Sequence, residues 1–255
     1  MMKTRFPKAR QFALGLASIV GFLLLWELLV RALGVRPVSL PAPSVVLAEL
    51  GGEWRWYLEQ TFYTLWTTLG GFALSIVIGV LLAMLLVGSR AFEHAVYPLI
   101  VALNSVPKVA VAPLFVIWMG TGAAPKVAIA FLIAVFAIIV DAVHGLRSVP
   151  QDVMDLGRVL KGKPLDFFLK VRLPCALPSI LAGTKVAISL SLVGAIVGEF
   201  VASQRGLGYV ILSAQGTFDT PRVFAAVFML ALMGIMLFSA VAWCERRLVP
   251  WHRPQ

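Results

Sequence analysis

The chain has 255 residues, of which 60% are hydrophobic and only 13% are charged. A soluble domain of this length would carry about twice that charged fraction, so the composition excludes a soluble globular protein and predicts one multi-span membrane domain. The formal net charge of +10 does not indicate nucleic-acid binding, because basic residues that flank membrane spans give the same total through the positive-inside bias.

Six apolar runs are long enough to cross a bilayer, which takes roughly 20 mostly apolar residues. The predicted spans cover about residues 12–33, 62–87, 93–118, 126–145, 178–200 and 222–244. The first run follows a basic stretch, but it is longer than the apolar region of a signal peptide and no small-residue cleavage site follows it. We therefore expect it to be retained, with residues 1–255 forming one all-helical transmembrane domain.

Most of the 22 lysine and arginine residues fall in alternate loops of this arrangement. If both termini are cytosolic, the basic N-terminus, the loop after the fourth span and the C-terminus all lie on the same side. This distribution follows the positive-inside rule. It predicts a multi-pass protein of the cell inner membrane with both termini in the cytoplasm.

The first outer loop, about residues 34–61, contains the segment LPAPS at 40–44. Its two prolines break any helix there, and the tryptophan and tyrosine residues that follow suit the membrane–water boundary. We interpret the loop as an interfacial helix rather than as a binding site.

The third span is interrupted, because Asn104, Pro107, Lys108 and Pro113 lie within an apolar run. Proline removes a backbone donor and kinks the helix, which lipid tolerates only where protein or water satisfies the freed carbonyls. This span is therefore expected to face the bundle interior or a polar pathway. Lys108 and Glu199 are the ionisable residues that the predicted spans place deepest in the membrane. Unless their side chains reach the interface, they indicate an ion pair, a polar cluster or direct contact with a solute. The candidate residues of a translocation pathway are Asn104, Pro107, Lys108 and Glu199.

The fifth span carries Gly194 and Gly198 in the spacing GxxxG. Glycines at this spacing let two helices approach closely in lipid, so the pair is a candidate helix-packing site. Because the pattern is common in unrelated spans, it does not identify the partner helix.

The outer loop at about 201–221 contains a glycine-rich turn followed by a short apolar stretch. The stretch Tyr209–Gln215 is too short to span a membrane, so we expect a short helix at the outer mouth. The candidate outer-mouth residues are Arg205, Gly206, Gly208 and Tyr209.

A charged segment, Ser148–Pro178, separates the fourth and fifth spans and is the longest part of the chain that cannot lie in hydrocarbon. The stretch Gln151–Lys161 is compatible with a helix. Asp152 and Asp155 fall in its first turn and Lys161 near its end, where each charge complements the helix macrodipole. Its apolar residues share one face, so this helix either lies on the lipid surface or docks into a cytosolic partner.

The segment at 157–164 nearly matches the phosphate-binding loop GxxxxGK[ST], but Pro164 lacks the hydroxyl that would bind magnesium. No nucleophile and base stand at the spacing of a known enzyme motif. We therefore predict no catalytic residue, metal site, cofactor or nucleotide site in this chain. Energy for transport has to come from another subunit or from an ion gradient.

The charged segment resembles the EAA loop of permease subunits of binding-protein-dependent, type I ATP-driven (ABC) importers. The family pattern is Glu-Ala-Ala, three residues, Gly, nine residues, then an aliphatic residue, any residue, Leu and Pro. Residues 171–174, VRLP, fit its end, and counting back places 155–157, Asp-Leu-Gly, at Glu-Ala-Ala. Lys161 stands where the family has glycine, with Gly162 one position later.

Other stretches are similar to the branch of this family that transports nitrate, sulfonates, taurine and related solutes. They are LPAPS at 40–44, SVPKVAVAPLFVIWMGTG at 105–122, Gly198-Glu199 and RGLGY at 205–209. The resemblance implies a MetI-like permease bundle with a core at about 55–247 and an N-terminal span at 12–33. It also implies four partners: membrane lipid, a second permease copy in a homodimer, two cytosolic ATP-binding subunits and a periplasmic or extracellular solute-binding protein. No nucleic-acid partner is expected.

In that family the EAA loop contains a coupling helix, here 152–163, that seats in a groove of the ATPase subunit. The resemblance assigns ATPase coupling to Asp152, Asp155, Leu156, Gly157, Leu160, Lys161 and Gly162. It implies a permease subunit for a small anionic, sulfonate-, nitrate- or taurine-like solute. The alternative is a stand-alone secondary carrier or channel, which would need intramembrane carboxylates, with Glu199 as the main candidate.

Overall fold

The computed structural model describes residues 8–159 and 164–251. These residues form α-helices joined by short turns, with one π-helical turn and no β-strand. The elements are α1 Lys8–Ala32, α2 Pro43–Gly52, α3 Trp54–Gly88, α4 Arg90–Ser105, α5 Lys108–Met119, α6 Ala123–Arg147, α7 Gln151–Val159, α8 Pro164–Phe167, the π-turn Phe168–Arg172, α9 Leu173–Ala202, α10 Leu207–Gly216 and α11 Thr220–Leu248. The prediction of an all-helical fold is confirmed.

Four helices of the described chain are long and apolar enough to cross a membrane: α3, α6, the continuous helix from the π-turn through α9, and α11. The pair α4 and α5 passes the same test together and gives a fifth. The predicted first span coincides with α1, which is 25 residues long. Six spans stay a prediction.

The predicted third span, 93–118, is interrupted as expected, but it consists of two separate helices and not of one kinked helix. Helix α4 ends at Ser105, α5 begins at Lys108, and the two are bent by 97°. Val106 is extended (φ −70°, ψ 131°), as the residue before a proline usually is, and Pro107 has no N–H to continue the hydrogen bonds of α4. The prolines therefore cause a change of helix direction rather than a kink.

Helix α6 lies between α3 and α9 at the centre of the bundle. A Cβ on Gly194 of α9 would lie 2.6 Å from Ala130 Cα of α6. One on Gly198 would lie 2.9 Å from Lys126 Cα, and one on Gly79 of α3 would meet α6 from the other side. The partner of the GxxxG pair is thus α6, and the missing side chains let the backbones pack closely.

The first outer loop contains α2, which is tied to both α1 and α11. Ser44 donates to Glu27 of α1 from its backbone N–H (3.0 Å) and from its hydroxyl (2.7 Å). Arg222 of α11 donates to Glu49 (3.0 Å) and to Glu53 (2.9 Å). The LPAPS segment therefore lies where three helices meet.

Candidate functional site

Three buried side chains hold the first turn of α10 by its backbone amides. Gly206 N donates to Gln60 Oε1 (2.7 Å), Leu207 N to Thr64 Oγ1 (2.8 Å) and Gly208 N to Glu199 Oε2 (2.7 Å). The first N–H groups of a helix have no acceptor within the helix, so these bonds satisfy donors that would otherwise be unpaired. Thr64 Oγ1 donates in turn to Glu199 Oε1 (2.8 Å), and both residues are wholly buried. We call Gln60, Thr64 and Glu199 with Gly206–Gly208 the α10 clamp.

Two glycines of the clamp leave the space that the Glu199 carboxylate occupies. Gly206 has a φ of 103°, which favours glycine, and a Cβ there would overlap the Glu199 carboxyl group. A Cβ on Gly208 would lie 2.9 Å from Glu199 Cβ. The stretches at 198–199 and 205–209 therefore form one site.

Lys126 of α6 lies beside the clamp and is only 1% exposed. Its Nζ donates to the backbone carbonyls of Thr121 (2.6 Å) and Gly122 (2.8 Å), and its charge interacts with that of Glu199. Sequence reasoning missed this lysine, as it missed the two α3 residues of the clamp. A lysine at the start of an apolar run signals a helix end, but it does not identify a partner.

Lys108 and Glu199, the two ionisable residues predicted deepest in the membrane, have different partners. Lys108 Nζ donates to Asn104 Oδ1 and lies 6.0 Å from the centre of the Phe136 ring. A cavity of about 200 Å³ beside them is otherwise lined by apolar side chains. The hydrogen bond joins the two halves of the broken helix across Pro107. Each charge thus belongs to its own polar cluster, and the structure does not bring the two together.

Of the predicted outer-mouth residues, Arg205 and Tyr209 flank the clamp. Arg205 precedes Gly206 and its side chain is exposed, whereas Tyr209 lies in the first turn of α10 and is half-buried. Their backbones are positioned by the turn that the clamp holds. The clamp and these two residues therefore share one end of the bundle, where α6 begins and α9 ends.

Helix α7 lies between α6 and α9, where the amphipathic helix is predicted. Four of the predicted coupling residues fall within it, namely Asp152, Asp155, Leu156 and Gly157. The other three, Leu160, Lys161 and Gly162, lie outside the described residues. Both aspartates are exposed.

Gly157 of α7 packs directly on the ring of Phe167, the last residue of α8. A Cβ at position 157 would overlap atoms of that ring. This is the position at which the resemblance places the second alanine of Glu-Ala-Ala, so a small residue has a physical reason there. The contact fixes how closely α7 can approach α8.

The ends of α6 and α9 attach this loop to the bundle. Leu146 and Ala176 are buried in one apolar cluster, and a Cβ on Gly145 would lie 2.9 Å from Ala176 O. Arg172 Nη2 donates to Met154 Sδ (3.5 Å), which ties the π-turn to α7. Helix α7 is thus attached to the ends of α6 and α9 whose opposite ends carry the buried lysine and glutamate of the clamp region.

Residues 75–250 match the family described as the binding-protein-dependent transport system inner membrane component. The formylaminopyrimidine transport permease protein ThiX of Halalkalibacterium halodurans is 36% identical, over 91% of this chain and 93% of its own. The riboflavin transport system permease protein RibX of Chloroflexus aurantiacus is 35% identical, over 94% and 91%. The taurine transport system permease protein TauC of Escherichia coli is 29% identical, over 98% and 94%.

The fold is similar to that of a chain in the MetNI methionine ABC transporter, solved in inward-facing conformations. The TM-score is 0.67 at 18% sequence identity, over 76% of this chain and 96% of that chain. At this identity the likeness shows the fold alone. It agrees with the predicted MetI-like helical bundle.

Proposed function

The chain belongs to the family of binding-protein-dependent transport system inner membrane components, and from this we propose how it takes part in solute import. It is a multi-pass permease subunit of an ATP-driven importer in the inner membrane, and like its permease relatives it is not itself an enzyme. We propose that two copies pair in the membrane, bind two cytosolic ATP-binding subunits and receive solute from an external binding protein.

One observation carries the proposal for energy coupling: a short helix with exposed aspartates is seated on α8 by Gly157 and tied to the ends of α6 and α9. We propose that α7 is the coupling helix. Its contact surface would comprise Asp152, Asp155, Leu156, Gly157, Leu160, Lys161 and Gly162. A helix attached in this way can transmit a displacement that a partner imposes on it.

We propose six membrane crossings within one domain, 1–255, with both termini in the cytoplasm. Helix α1 and the bent pair α4–α5 would supply the first and third crossings. The α7 loop then lies in the cytosol, and the α10 clamp lies at the outer mouth with Arg205 and Tyr209. The positive-inside distribution of lysine and arginine supports this orientation.

ATP binding would draw the partner subunits together and move α7. Because α6 and α9 run from the α7 loop to the α10 clamp, a movement at one end of these helices also tilts the other end. The permease would then alternate between inward and outward openings, and hydrolysis would reset it. Nucleotide shifts this equilibrium only as far as it binds one state more tightly than the other.

The broken helix is the proposed place of solute passage. Asn104, Pro107 and Lys108 bring polar groups and helix ends into the apolar layer, as at the midplane sites of other transporters. Glu199, enclosed by the clamp, would act on the pathway by holding α10 rather than by lying in the path. The cavity beside Lys108 supports this assignment.

Lys108→Met is expected to lower ATP-driven uptake of an anionic solute about tenfold, the value of one charge-assisted contact. Lys185→Met is the matched control, because that lysine pairs with Glu245 (2.8 Å) away from the break. Initial uptake rates in proteoliposomes measure the effect. Uptake by Lys108→Met at the wild-type rate would show that Lys108 serves only to bind Asn104.

We propose a small anionic solute of the sulfonate, nitrate or taurine type. The names of the relatives cover formylaminopyrimidine, riboflavin and taurine, which differ in size and charge. In a binding-protein-dependent system the external protein makes the first selection. The ligand that co-purifies with the companion binding protein therefore identifies the solute.

Proteoliposomes that hold the permease with its ATP-binding subunits are expected to take up the binding protein's ligand only when ATP is supplied. The reason is that the chain has no nucleotide site by sequence, so its movement depends on the partner subunits. The control is the same vesicle with a non-hydrolysable ATP analogue. Uptake by the permease alone, driven by a proton or sodium gradient, would contradict the proposal and favour a secondary carrier.

A further inference from the structure

A polar cavity of about 410 Å³ opens beside the α10 clamp, between the α5–α6 loop and the α9–α10 loop. It is lined mainly by groups that are positively charged or can donate hydrogen bonds: Tyr63, Thr121, Lys126, Ser203, Gln204 and Arg205. Among the described residues, those that line the cavity include two cations and no carboxylate. We propose that this cavity binds the anionic group of a small organic anion, namely a sulfonate, carboxylate or phosphate.

Lys126 gives the cavity a fixed positive charge at its base. Its side chain is almost wholly covered, and the carbonyls of Thr121 and Gly122 hold its Nζ in place. Glu199 balances part of this charge, but its carboxylate faces the clamp, where two donors enclose it. Lys126, and not Glu199, therefore lines the cavity.

Arg205 supplies the second charge, and its backbone is held in place. Ser203 Oγ donates to Arg205 O (2.6 Å), and Arg205 N donates to Ser203 Oγ (3.3 Å). The next residue, Gly206, is bound by the clamp. The exposed guanidinium carries a planar fork of donors that matches two oxygens of an oxyanion. Because the backbone is already ordered, less conformational freedom is lost when an anion binds.

A second cavity of about 590 Å³ adjoins the first and shares Tyr63 and Arg205 with it. Its wall includes Phe62 and Trp66, which are 71% and 67% exposed, and Glu59 lies at its rim. Aromatic faces suit a flat, apolar body, whereas the carboxylate would repel a second anionic group. The two cavities together fit a monoanion with an aromatic body, its charged group in the first cavity and its ring against Trp66.

Fluorine NMR on the purified importer, the permease with its ATP-binding subunits in lipid nanodiscs, tests this proposal. The probe is 4-fluorobenzenesulfonate, and 4-fluorobenzenesulfonamide is an uncharged probe of similar shape. We expect the wild type to broaden the sulfonate line saturably and the sulfonamide line much less. Arg205→Gln should weaken sulfonate binding about tenfold, as for the loss of a charge-assisted contact. Trp66→Ala should also weaken binding of 4-fluorobenzenesulfonate. It should not change binding of trifluoromethanesulfonate, which has no ring.

Arg55→Gln is the matched control, because Arg55 is an arginine of α3, the helix that carries Tyr63 and Trp66, but it stacks on Trp54 (5.5 Å) and does not line the cavity. It should bind the sulfonate as the wild type does. Lys126→Gln should abolish sulfonate binding. If that buried variant does not fold, the test depends on Arg205→Gln and Tyr63→Phe, both of which should bind the sulfonate more weakly than the wild type does. Equal affinity of wild type and Arg205→Gln for the sulfonate, or equal affinity of the wild type for the two probes, would overturn the proposal.

The inference rests on the proposed function only where it takes the bound anion to be the transported solute. Binding is measured without transport, so the two can fail separately. ATP-driven uptake without anion binding would overturn this inference and leave the proposed function intact. Saturable anion binding in an importer that shows no ATP-driven uptake would overturn the proposed function and leave this inference intact.

Discussion

Glu199→Ala is expected to lower the free energy of unfolding by about 2–6 kcal/mol, because two buried hydrogen-bond donors lose their acceptor. Lys126 would keep its charge inside the bundle without the opposite charge of Glu199. Thr64 Oγ1 and Gly208 N would also lose their acceptor, and each buried donor without a partner costs about 1–3 kcal/mol. The first turn of α10 should then detach from α3 and α9, and most uptake should be lost.

Thermal unfolding of the purified permease in nanodiscs measures this effect, and a loss of this size should lower the midpoint by about 10 °C. Glu199→Gln should fall between wild type and alanine, because an amide oxygen still accepts a hydrogen bond but carries no charge. Glu93→Ala is the control, because that carboxylate pairs with Arg147 (2.7 Å) near the surface, where such a pair contributes about 0–1 kcal/mol. A Glu199→Ala variant that melts within about 2 °C of the wild type would show that Glu199 does not hold α10.

A second variant reaches the same cluster without changing a charged group. Gly206→Ala would place a methyl group in the space of the Glu199 carboxyl group, at a backbone φ of 103° that alanine rarely adopts. Its midpoint and uptake should fall as in Glu199→Ala. Gly216→Ala is matched to it, because a Cβ at that position, the other end of α10, meets open space.

The helices of this protein can be predicted from sequence because each apolar run carries its own signal. Length and hydropathy decide whether a segment can cross a bilayer, and neither depends on the rest of the chain. The break at Pro107 is predictable for the same local reason, since proline lacks an N–H. The angle of 97° is not, because the direction of α5 depends on how both halves pack against their neighbours.

The α10 clamp could not be predicted, because its members are far apart in sequence. Thr64 and Glu199 are separated by 135 positions, and the glycine-rich turn indicates only a local change of direction. Lys108 and Glu199 share one local signal, a charge in an apolar run, yet they have different partners. A single sequence indicates that a buried charge needs a partner, but only the fold identifies which one.

Gly157→Leu is expected to reduce ATP-driven uptake about tenfold or more by displacing α7 from α8, as for the loss of a central contact in an interface. A Cβ at this position would already overlap the ring of Phe167, so a leucine must move the ring or tilt the helix. Overpacking of this kind costs about 1–3 kcal/mol. The loop should absorb it, because the buried contacts of α6 with α9 lie outside α7. The bundle should therefore stay folded while its contact with the ATP-binding subunits weakens.

Co-purification of the ATP-binding subunits, uptake and thermal unfolding of the permease together measure this outcome. We expect less co-purified ATPase and less uptake at an unchanged midpoint. Gly88→Leu is the matched control, because a Cβ at that position, the last residue of α3, has no other atom within 4 Å. Normal uptake and co-purification by Gly157→Leu would show that the seat of α7 on α8 has no part in coupling.

A double variant separates two routes by which the leucine could act. If the defect arises because α7 is pushed away from α8, then adding Phe167→Ala makes room for the leucine and should restore uptake towards the wild-type rate. If the leucine instead blocks the ATP-binding subunit directly, removing the ring leaves the obstruction in place, and the double variant should stay as defective as Gly157→Leu. Rescue would therefore show that coupling depends on the distance between α7 and α8 of this chain. A double variant as defective as Gly157→Leu would instead show that coupling depends on the exposed surface of α7.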